Sequence, residues 1–431
     1  MSFDSLPDAL LGRILGLAGA SEGFPPTSTD ASPLTLVSRR WRDCVFAEPS
    51  LWRTFRLAAG PQGAGAAPLA AKHAVLQRVA GFVQRLEVSA SAAQGRAGWH
   101  LQGGDGLPVL STFLDLLPAG QLAELQVDEL QLQPGTVQQV LRFPQLQQLE
   151  LAGATLPPGT GGTVRQLHEL RFLRIMALQQ PDGIADAAAQ CGHLTCLDLQ
   201  SLLMPLLELQ PLSRLTCLRR LTLREEAREF TGLQQFASPE VWQLLGPMLP
   251  PEPAALPALE AFVFKSERRH VQGCSSLAPL AELSLAGCDG STEGLAALLP
   301  QVPHLTSLAI GGPLPDATLP ASVTALAQLR SLALGGMALA DLPSGPYLAG
   351  LTNLELCDNS LTSLPSALAA ATSLHTLNWE FNPSLVLGPQ DIRLLAGLPA
   401  LRELTLGLPE SETPPRVLRV LRHALPLLRV E

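Results

Sequence analysis

The 431-residue chain contains few aromatic and few basic residues. Aromatic residues make up 4% of the sequence, so a hydrophobic core must be built mainly from aliphatic side chains. The net charge is −9, which argues against binding to nucleic acid because that function needs a basic face. Lysine occurs only at Lys72 and Lys265. This scarcity agrees either with a GC-rich genome or with selection against modification of lysine.

The sequence also lacks the segments that direct a chain into or across a membrane. Residues 1–8 contain neither a basic nor an apolar segment of the secretory type. Proline or charge interrupts the apolar stretches before they reach about 18 residues. The seven cysteines include no Cys-x-x-Cys pair, and an odd count without a signal peptide is typical of reduced thiols. We therefore expect a cytoplasmic or nuclear protein that does not bind membranes.

Catalytic and metal-binding patterns are not recognisable in the sequence. The glycine-rich run 103–106 is not followed by the Lys-Ser/Thr pair of a phosphate-binding loop. Cys191 and Cys196 are five residues apart and have no fourth ligand at a spacing typical of zinc sites. Ser/His/Asp and Cys/His sets are also missing. We expect a protein that is not an enzyme and that needs neither a cofactor nor a metal.

A six-residue pattern, L-x-x-L-x-L with some apolar replacements, recurs through most of the chain. Successive matches are separated by 24, 24, 24, 24, 41, 21, 25, 24, 22, 23 and 27 residues. Such regularity indicates an internal structural repeat. A looser match, Val83–Leu86–Val88, precedes the others. The matches begin at Leu122, Leu146, Leu170, Leu194, Leu218, Leu259, Leu280, Leu305, Leu329, Leu351, Leu374 and Leu401.

The spacing within the pattern predicts one short strand per repeat. The last two apolar residues are two positions apart, so both side chains point to one side of a strand. Between strands, apolar residues follow helical spacing, as in the segment 321–329. Stacking such units buries leucines that one unit cannot bury alone, at about 1.5–3 kcal/mol each. The pattern resembles that of the leucine-rich-repeat family. This resemblance implies an α/β solenoid with parallel strands on its concave face and helices or turns on its convex face.

The repeats depart from the family pattern in their loops and at one long interval. The family usually has Asn or Cys at the ninth position, where the side chain satisfies backbone groups of the loop. Asn359, Asn382 and Cys288 match this rule, whereas Leu130, Ala154, Leu178, Leu202 and Pro313 do not. The 41-residue interval contains an insertion near 225–257, which is either a degenerate repeat or a projecting loop. We expect a capping region at 72–121, repeats at 122–412 and a C-terminal cap at 413–431.

Residues 1–57 have a different pattern. A helical arrangement of apolar residues over 6–17 is followed by a breaker-rich loop at 21–33 and a second helical arrangement over 34–46. This order resembles the F-box family, which has Leu-Pro, a Leu/Ile helix, a Val-x-x-x-Trp helix and a closing Leu-Trp. The loop is longer than the usual connection in that family. The matching residues are Leu6, Pro7, Leu10, Ile14, Leu36, Val37, Trp41, Leu51 and Trp52.

The F-box resemblance implies a small all-α module that docks on a Skp-family adaptor and, through it, on a cullin. The repeats would then bind a protein substrate of a ubiquitin ligase of the SCF type. The alternative is that these residues pack as a helical cap on the repeats. A Gly/Ala/Pro-rich linker is expected at 58–71, which leaves the orientation of the module open.

The candidate partner-binding residues lie between the leucines of the predicted strands. They are Phe172, Arg174, Arg220, Arg224 and Lys265. Arginine suits carboxylate and phosphate groups, so this stretch of the concave face is predicted to receive an acidic or phosphorylated segment of a partner. The alternative is an ordinary solvated strand face. The leading functional hypothesis is a substrate-recognition adaptor of a ubiquitin ligase. The second is a leucine-rich-repeat scaffold that joins partners without a role in degradation.

Overall fold

The computed structural model describes residues 39–59, 69–90, 109–128, 134–153, 156–179, 183–203, 210–225, 256–266, 280–286, 296, 298–312, 318–384, 387–406, 423, 425 and 428–430. The chain divides into two compact units, Met1–Pro205 and Leu206–Glu431.

Parallel strands follow one another in chain order within each unit, because each repeat returns the chain to a position beside the preceding strand. The first unit contains β1 (Thr54–Ala59), β2 (Arg85–Ala90), β3 (Glu124–Asp128), β4 (Gln148–Gly153), β5 (Phe172–Gln179) and β6 (Cys196–Leu203). The second contains β7 (Arg220–Glu225), β8 (Ala261–Ser266), β9 (Glu282–Ala286), β10 (Ser307–Gly311), β11 (Ser331–Gly335), β12 (Asn353–Glu355), β13 (Thr376–Asn378), β14 (Glu403–Thr405) and β15 (Arg429–Val430).

Short helices precede the first strand and connect several of the later ones. They are α1 (Arg39–Ala47), α2 (Leu69–Val79), α3 (Val109–Leu116), α4 (Pro134–Gln139), α5 (Thr160–Val164), α6 (Ile184–Ala188), α7 (Ala321–Thr324), α8 (Tyr347–Gly350) and α9 (Pro389–Ala396). Turns of 3-10 helix occur at Pro49–Leu51, Ala80–Phe82, Val140–Arg142, Gln210–Arg214, Leu299–Gln301 and Ser366–Ala370. Since a repeat of about 24 residues also contains a strand and two loops, little length remains for the helix.

A recurrent pair of backbone hydrogen bonds begins each step from one strand to the next. In the first unit, the N–H groups of Gln147 and Gln148 donate to the carbonyl of Ala123 at 2.7 and 3.1 Å. In the second unit, Arg330 and Ser331 donate in the same way to Thr306 at 2.7 and 3.0 Å. This arrangement fixes the register, so equivalent leucines of successive repeats lie side by side.

The leucine positions of the motif form the core, as the spacing predicts. Leu170, Leu173 and Ile175, the three apolar positions of one repeat, are fully buried, and the equivalent residues of the other repeats are similarly enclosed. Their burial stabilises the stack by about 1.5–3 kcal/mol per side chain. The expected parallel leucine-rich-repeat array is therefore confirmed in each unit.

The array begins two repeats before the expected start at residue 122, because β2, within the expected capping region at 72–121, pairs in register with β3 and β1 pairs with β2. Trp52, Phe55 and Leu57 occupy the three apolar positions of a repeat, because β1 pairs in register with β2 and Gln84 and Arg85 donate to the carbonyl of Arg53. The expected boundary at residue 57 thus falls inside β1. The expected linker at 58–71 does not separate the helical segment from the repeats: it lies inside the first repeat, between β1 and α2.

Two other boundaries also differ from the expected ones. Strands β7 and β8 pair directly from Arg220 with Ala261 to Glu225 with Ser266, so the insertion near 225–257 adds no strand between them. This placement favours the projecting connection over the degenerate repeat. Within the expected C-terminal cap at 413–431, β15 extends the sheet by pairing with β14. The predicted terminal helix at 414–423 lies almost entirely outside the described residues.

The ninth position of the motif carries an asparagine that binds the loop after the strand in two repeats. The side-chain oxygen of Asn359 accepts from the N–H groups of Met337 and Leu339 at 3.2 and 3.1 Å, and its amide donates to Leu334 and Cys357. In the next repeat, the amide of Asn382 donates to the carbonyls of Leu356, Trp379 and Glu380. The strands of these repeats, β12 and β13, have three residues, whereas β5 and β6, which carry leucine at this position, have eight. Cys288 lies outside the described residues.

Candidate functional site: the strand faces

The side chains between the buried leucines form an accessible surface on each unit, which we call the strand face. Exposure alternates along β3, β10 and β11, with partly exposed residues on either side of each buried one. This alternation follows from the two-residue period of a strand. The strand face is therefore a set of parallel rows whose chemistry is set by the third, fifth and seventh motif positions.

Ion pairs between neighbouring strands neutralise much of the strand face in the first unit. Nε of Arg56 on β1 donates to Glu87 on β2 at 2.5 Å. Arg85 also contacts Glu87, at 2.6 Å, and reaches Glu124 on β3 at 2.8 Å. The four groups form a chain of alternating charge across three strands, so arginine offsets the carboxylates at this end of the face.

Arg174 is held between two carboxylates. Its guanidinium bonds Glu150 on β4 at 3.1 Å and the buried Asp198 on β6 at 2.8 Å, and it lies 5.4 Å from the ring centre of Phe172. Burial alone would lower the pKa of Arg174, but the hydrogen bonds and charges of Asp198 and Glu150 raise it above the ordinary value. Because two negative charges already surround Arg174, an acidic ligand has to displace one of them.

The predicted basic residues of the second unit have different surroundings. Arg220 is exposed and reaches across β8 to Glu282 at 3.2 Å, because the intervening third position carries the small Ala261. Arg224 and Lys265 occupy paired positions on β7 and β8. The Nε atom of Arg224 is buried and has no acceptor in the described part of the chain. Two residues of cationic type therefore occupy adjacent seventh motif positions.

The end of the F-box-like segment packs into the first repeat. Trp52 is 1% exposed, and its indole nitrogen donates to the carbonyl of Val45 at 2.7 Å. Phe46 stacks on Trp52 with ring centres 5.5 Å apart, and Arg78 on α2 lies 4.0 Å from the ring centre of Phe46. Leu51 is buried as well. For Leu51 and Trp52, the structure favours the alternative of packing on the repeats over direct contact with a partner.

The other F-box candidates are Trp41 and six residues that precede it in the chain. Trp41 lies within α1. The remaining candidates lie outside the described residues, namely Leu6, Pro7, Leu10, Ile14, Leu36 and Val37.

A group of residues near the ends of β12 and β13 was not among the sequence candidates. Phe381 is 71% exposed and has a φ of 57°, a left-handed conformation that costs a bulky residue about 1–3 kcal/mol. The equivalent eighth position carries Gly312, Gly336 or Asp358 in other repeats, all with positive φ. The motif spacing could have revealed this exception, because an aromatic residue stands where a small or turn-forming one fits best.

Three carboxylates lie around the same point. Glu355, Asp358 and Glu380 all act on the thiol of Cys357, whose pKa is raised by burial first and then by these negative charges. The N–H of Asp358 donates to the carbonyl of Glu380 at 3.0 Å, so the two residues are neighbours across the repeat boundary. We call Phe381, Glu355, Asp358 and Glu380 the acidic–aromatic patch.

Within the described residues, no group of three or more His, Cys, Asp or Glu side chains is arranged to hold a metal ion. The same part of the chain contains no helix that is long and apolar enough to span a membrane. The described cysteines, Cys44, Cys191, Cys196, Cys217 and Cys357, are free.

Comparison with known proteins gives structural similarities only. No protein-family model matches the chain. No curated protein sequence matches it. Among solved structures, an internalin of Listeria monocytogenes is 16% identical, with 82% of this chain and 88% of that one covered and a TM-score of 0.46. A leucine-rich-repeat protein of Leptospira interrogans is 17% identical, with 90% and 97% covered and a TM-score of 0.38.

A plant peptide hormone receptor is 14% identical, with 76% of this chain and 53% of that one covered and a TM-score of 0.38.

The fold class of the protein follows from its own geometry. Each unit has the repeated motif, in-register parallel strands and a leucine core, and the second unit also has asparagine-capped loops. The chain has a leucine-rich-repeat solenoid fold.

Proposed function

We propose that this leucine-rich-repeat protein is a recognition scaffold whose strand faces bind a protein partner. The alternation of buried leucines with accessible side chains is the observation that carries this proposal. Because successive strands stay in register, the accessible side chains have fixed spacing on a rigid backbone. A surface of this kind suits an extended contact with a protein.

Arg224 and Lys265 are the best candidates for contact with an acidic or phosphorylated segment of that partner. They stand side by side, and no ion pair of Arg224 occurs in the part of the chain that the structure describes. Phe172, Arg174 and Arg220 remain proposed contacts. A ligand there has to compete with the carboxylates that already pair with the two arginines.

Fluorescence anisotropy with a labelled phosphoserine peptide and its unphosphorylated counterpart tests this contact. Arg224→Glu in the full chain should weaken binding of the phosphorylated peptide by about tenfold, since a close charge pair becomes repulsive. Arg219→Glu is the matched control, because Arg219 is exposed and pairs with Glu260 at 3.5 Å outside the strand face. Equal affinity of the wild type and Arg224→Glu for the phosphorylated peptide contradicts the proposal.

We further propose that residues 1–57 dock the chain on a Skp-family adaptor and so make it the substrate-recognition subunit of a cullin-based ubiquitin ligase in the cytoplasm or nucleus. Support comes from the order of the motif residues. The contacts to the adaptor are assigned to Leu6, Pro7, Leu10, Ile14, Leu36, Val37 and Trp41. Since Leu51 and Trp52 are buried, their role in this proposal is to hold α1 against the first repeat.

Co-purification with both the adaptor and a cullin distinguishes the ligase from the alternative function. The ligase role requires both partners in the complex, and Leu10→Ala with Ile14→Ala should remove both. A chain that binds the adaptor but never a cullin is a scaffold without a degradation role. A wild-type chain that binds neither contradicts adaptor docking, whereas partner binding by the strand face is tested separately.

A further inference from the structure

We propose that the acidic–aromatic patch of the second unit binds an arginine- or lysine-bearing segment of a protein partner, with the cation over the ring of Phe381 and between the carboxylates. This inference rests on the proposed partner-binding role of the strand face and specifies the chemistry of one contact.

Exposure of Phe381 is the first observation that supports the patch. In the described part of the chain, Phe381 and Met176 are the large apolar residues that are exposed. Phe381 directly follows Glu380, whose carbonyl accepts from the N–H of Asp358 in the preceding repeat. An exposed aromatic ring attracts an ammonium or guanidinium group through its negative face.

Missing charge compensation is the second observation. In the first unit, Glu87, Glu124, Glu150 and Asp198 each pair with an arginine of a neighbouring strand. Within the described residues, Glu355, Asp358 and Glu380 have no such cation. Three negative charges in two neighbouring repeats repel one another, and a ligand cation relieves that repulsion.

The neighbouring repeats leave room for the ligand. Ala309 and Ala333 occupy the fifth motif position on β10 and β11, and Gly335 occupies the seventh. One carboxylate oxygen of Asp358 lies 3.5 Å from the point where a Cβ on Gly336 would stand, so this carboxylate faces the side on which the small residues lie. A long basic side chain can therefore approach the patch from this side without meeting another bulky side chain of these positions.

Charge decides which occupant fits. The three carboxylates exclude an acidic peptide or a nucleic acid at this point, because like charges facing each other destabilise a contact. A purely apolar partner would bury the carboxylates without a counter-charge, at a large desolvation cost. A basic segment satisfies both the carboxylates and the ring.

The probe for this contact is a short fluorescein-labelled peptide of alternating arginine and alanine, with a citrulline–alanine peptide as its neutral counterpart. The full chain should bind the arginine peptide at least about tenfold more tightly than the citrulline peptide in low salt. Phe381→Asn should weaken binding by about fivefold, because it removes the ring yet suits the positive φ. Glu355→Gln with Glu380→Gln should weaken it by about tenfold or more.

Glu169→Gln is the matched control, because Glu169 is an exposed carboxylate of the first unit and should leave the affinity unchanged. Alkylation gives an independent readout: the bound cation should move the pH midpoint of Cys357 alkylation downward, because it offsets the carboxylates, and should leave the rate at the exposed Cys217 unchanged. The proposal is overturned if the wild type fails to bind, if the citrulline peptide binds equally well, or if the patch variants bind like the wild type. If the chain binds the arginine peptide but does not co-purify with the adaptor, adaptor docking alone is overturned. If it co-purifies with the adaptor but does not bind the arginine peptide, this inference alone is overturned.

Discussion

Asn359 illustrates how one side chain shapes the loop of a repeat. It is buried. Its side-chain oxygen accepts hydrogen bonds from two N–H groups of the preceding loop, and its amide donates to the carbonyls of Leu334 and Cys357. The sequence predicted this role from the spacing of the motif. Strand β12 ends four residues before Asn359, whereas β5 and β6, which carry leucine at the ninth position, extend through it.

Replacing Asn359 with alanine should lower the free energy of unfolding by about 3 kcal/mol, since several buried backbone groups lose their partners. Urea denaturation measures this change. Asn353→Ala is the matched control, because Asn353 lies on the strand face and makes hydrogen bonds of only 3.5 Å. It should cost less than about 0.5 kcal/mol. Similar losses for both variants would contradict the role of Asn359.

Cys357 reports the charge of the acidic–aromatic patch. Its pKa is raised by burial and by Glu355 and Glu380, so the thiol stays protonated to higher pH than an ordinary cysteine. Glu380→Gln removes one of these charges and should move the pH midpoint of Cys357 alkylation downward, since the thiolate is the reactive form. Mass spectrometry of each cysteine measures the rates. An unchanged or higher midpoint would show that the carboxylate does not act on the thiol.

At the scale of elements, the first repeat was hidden by its unusual residues. Trp52 and Phe55 replace the usual leucines, and the pair Leu51-Trp52 also matches the end of an F-box. The twelve regular repeats could be predicted because three leucines per repeat are enough to define a strand. The ion pairs of Arg174 and Arg220 could not be predicted from the sequence. They depend on which side chains the strand register brings together and, for Arg220, on the small Ala261 on the intervening strand.

Trp52→Ala should destabilise the first repeat by about 3–5 kcal/mol, because the indole is buried and bonded to Val45. Thermal unfolding of the full chain, followed by hydrogen exchange in β1 and β2, measures the loss. Phe381→Ala serves as the control, since it truncates an exposed aromatic residue. Unchanged protection of β1 combined with loss of adaptor binding would instead make Trp52 part of the docking surface.

At the scale of the whole molecule, separate parts of the chain are proposed to bind separate partners. The N-terminal residues are proposed to hold the adaptor, and the strand faces are proposed to hold the partner. Direct attachment of α1 to the first repeat removes the expected linker from between these tasks. An adaptor that contacts Trp41, as proposed, would therefore bind α1 next to the first repeat.

Equilibrium binding between the purified full chain and a purified Skp-family adaptor, measured by calorimetry, tests the central proposal most directly. The wild type and Phe381→Asn should bind with the same dissociation constant, about 1 μM or tighter. Leu10→Ala with Ile14→Ala should abolish binding while thermal unfolding of the repeats stays unchanged. A folded wild-type chain that shows no binding heat at adaptor concentrations well above that value would contradict the proposal.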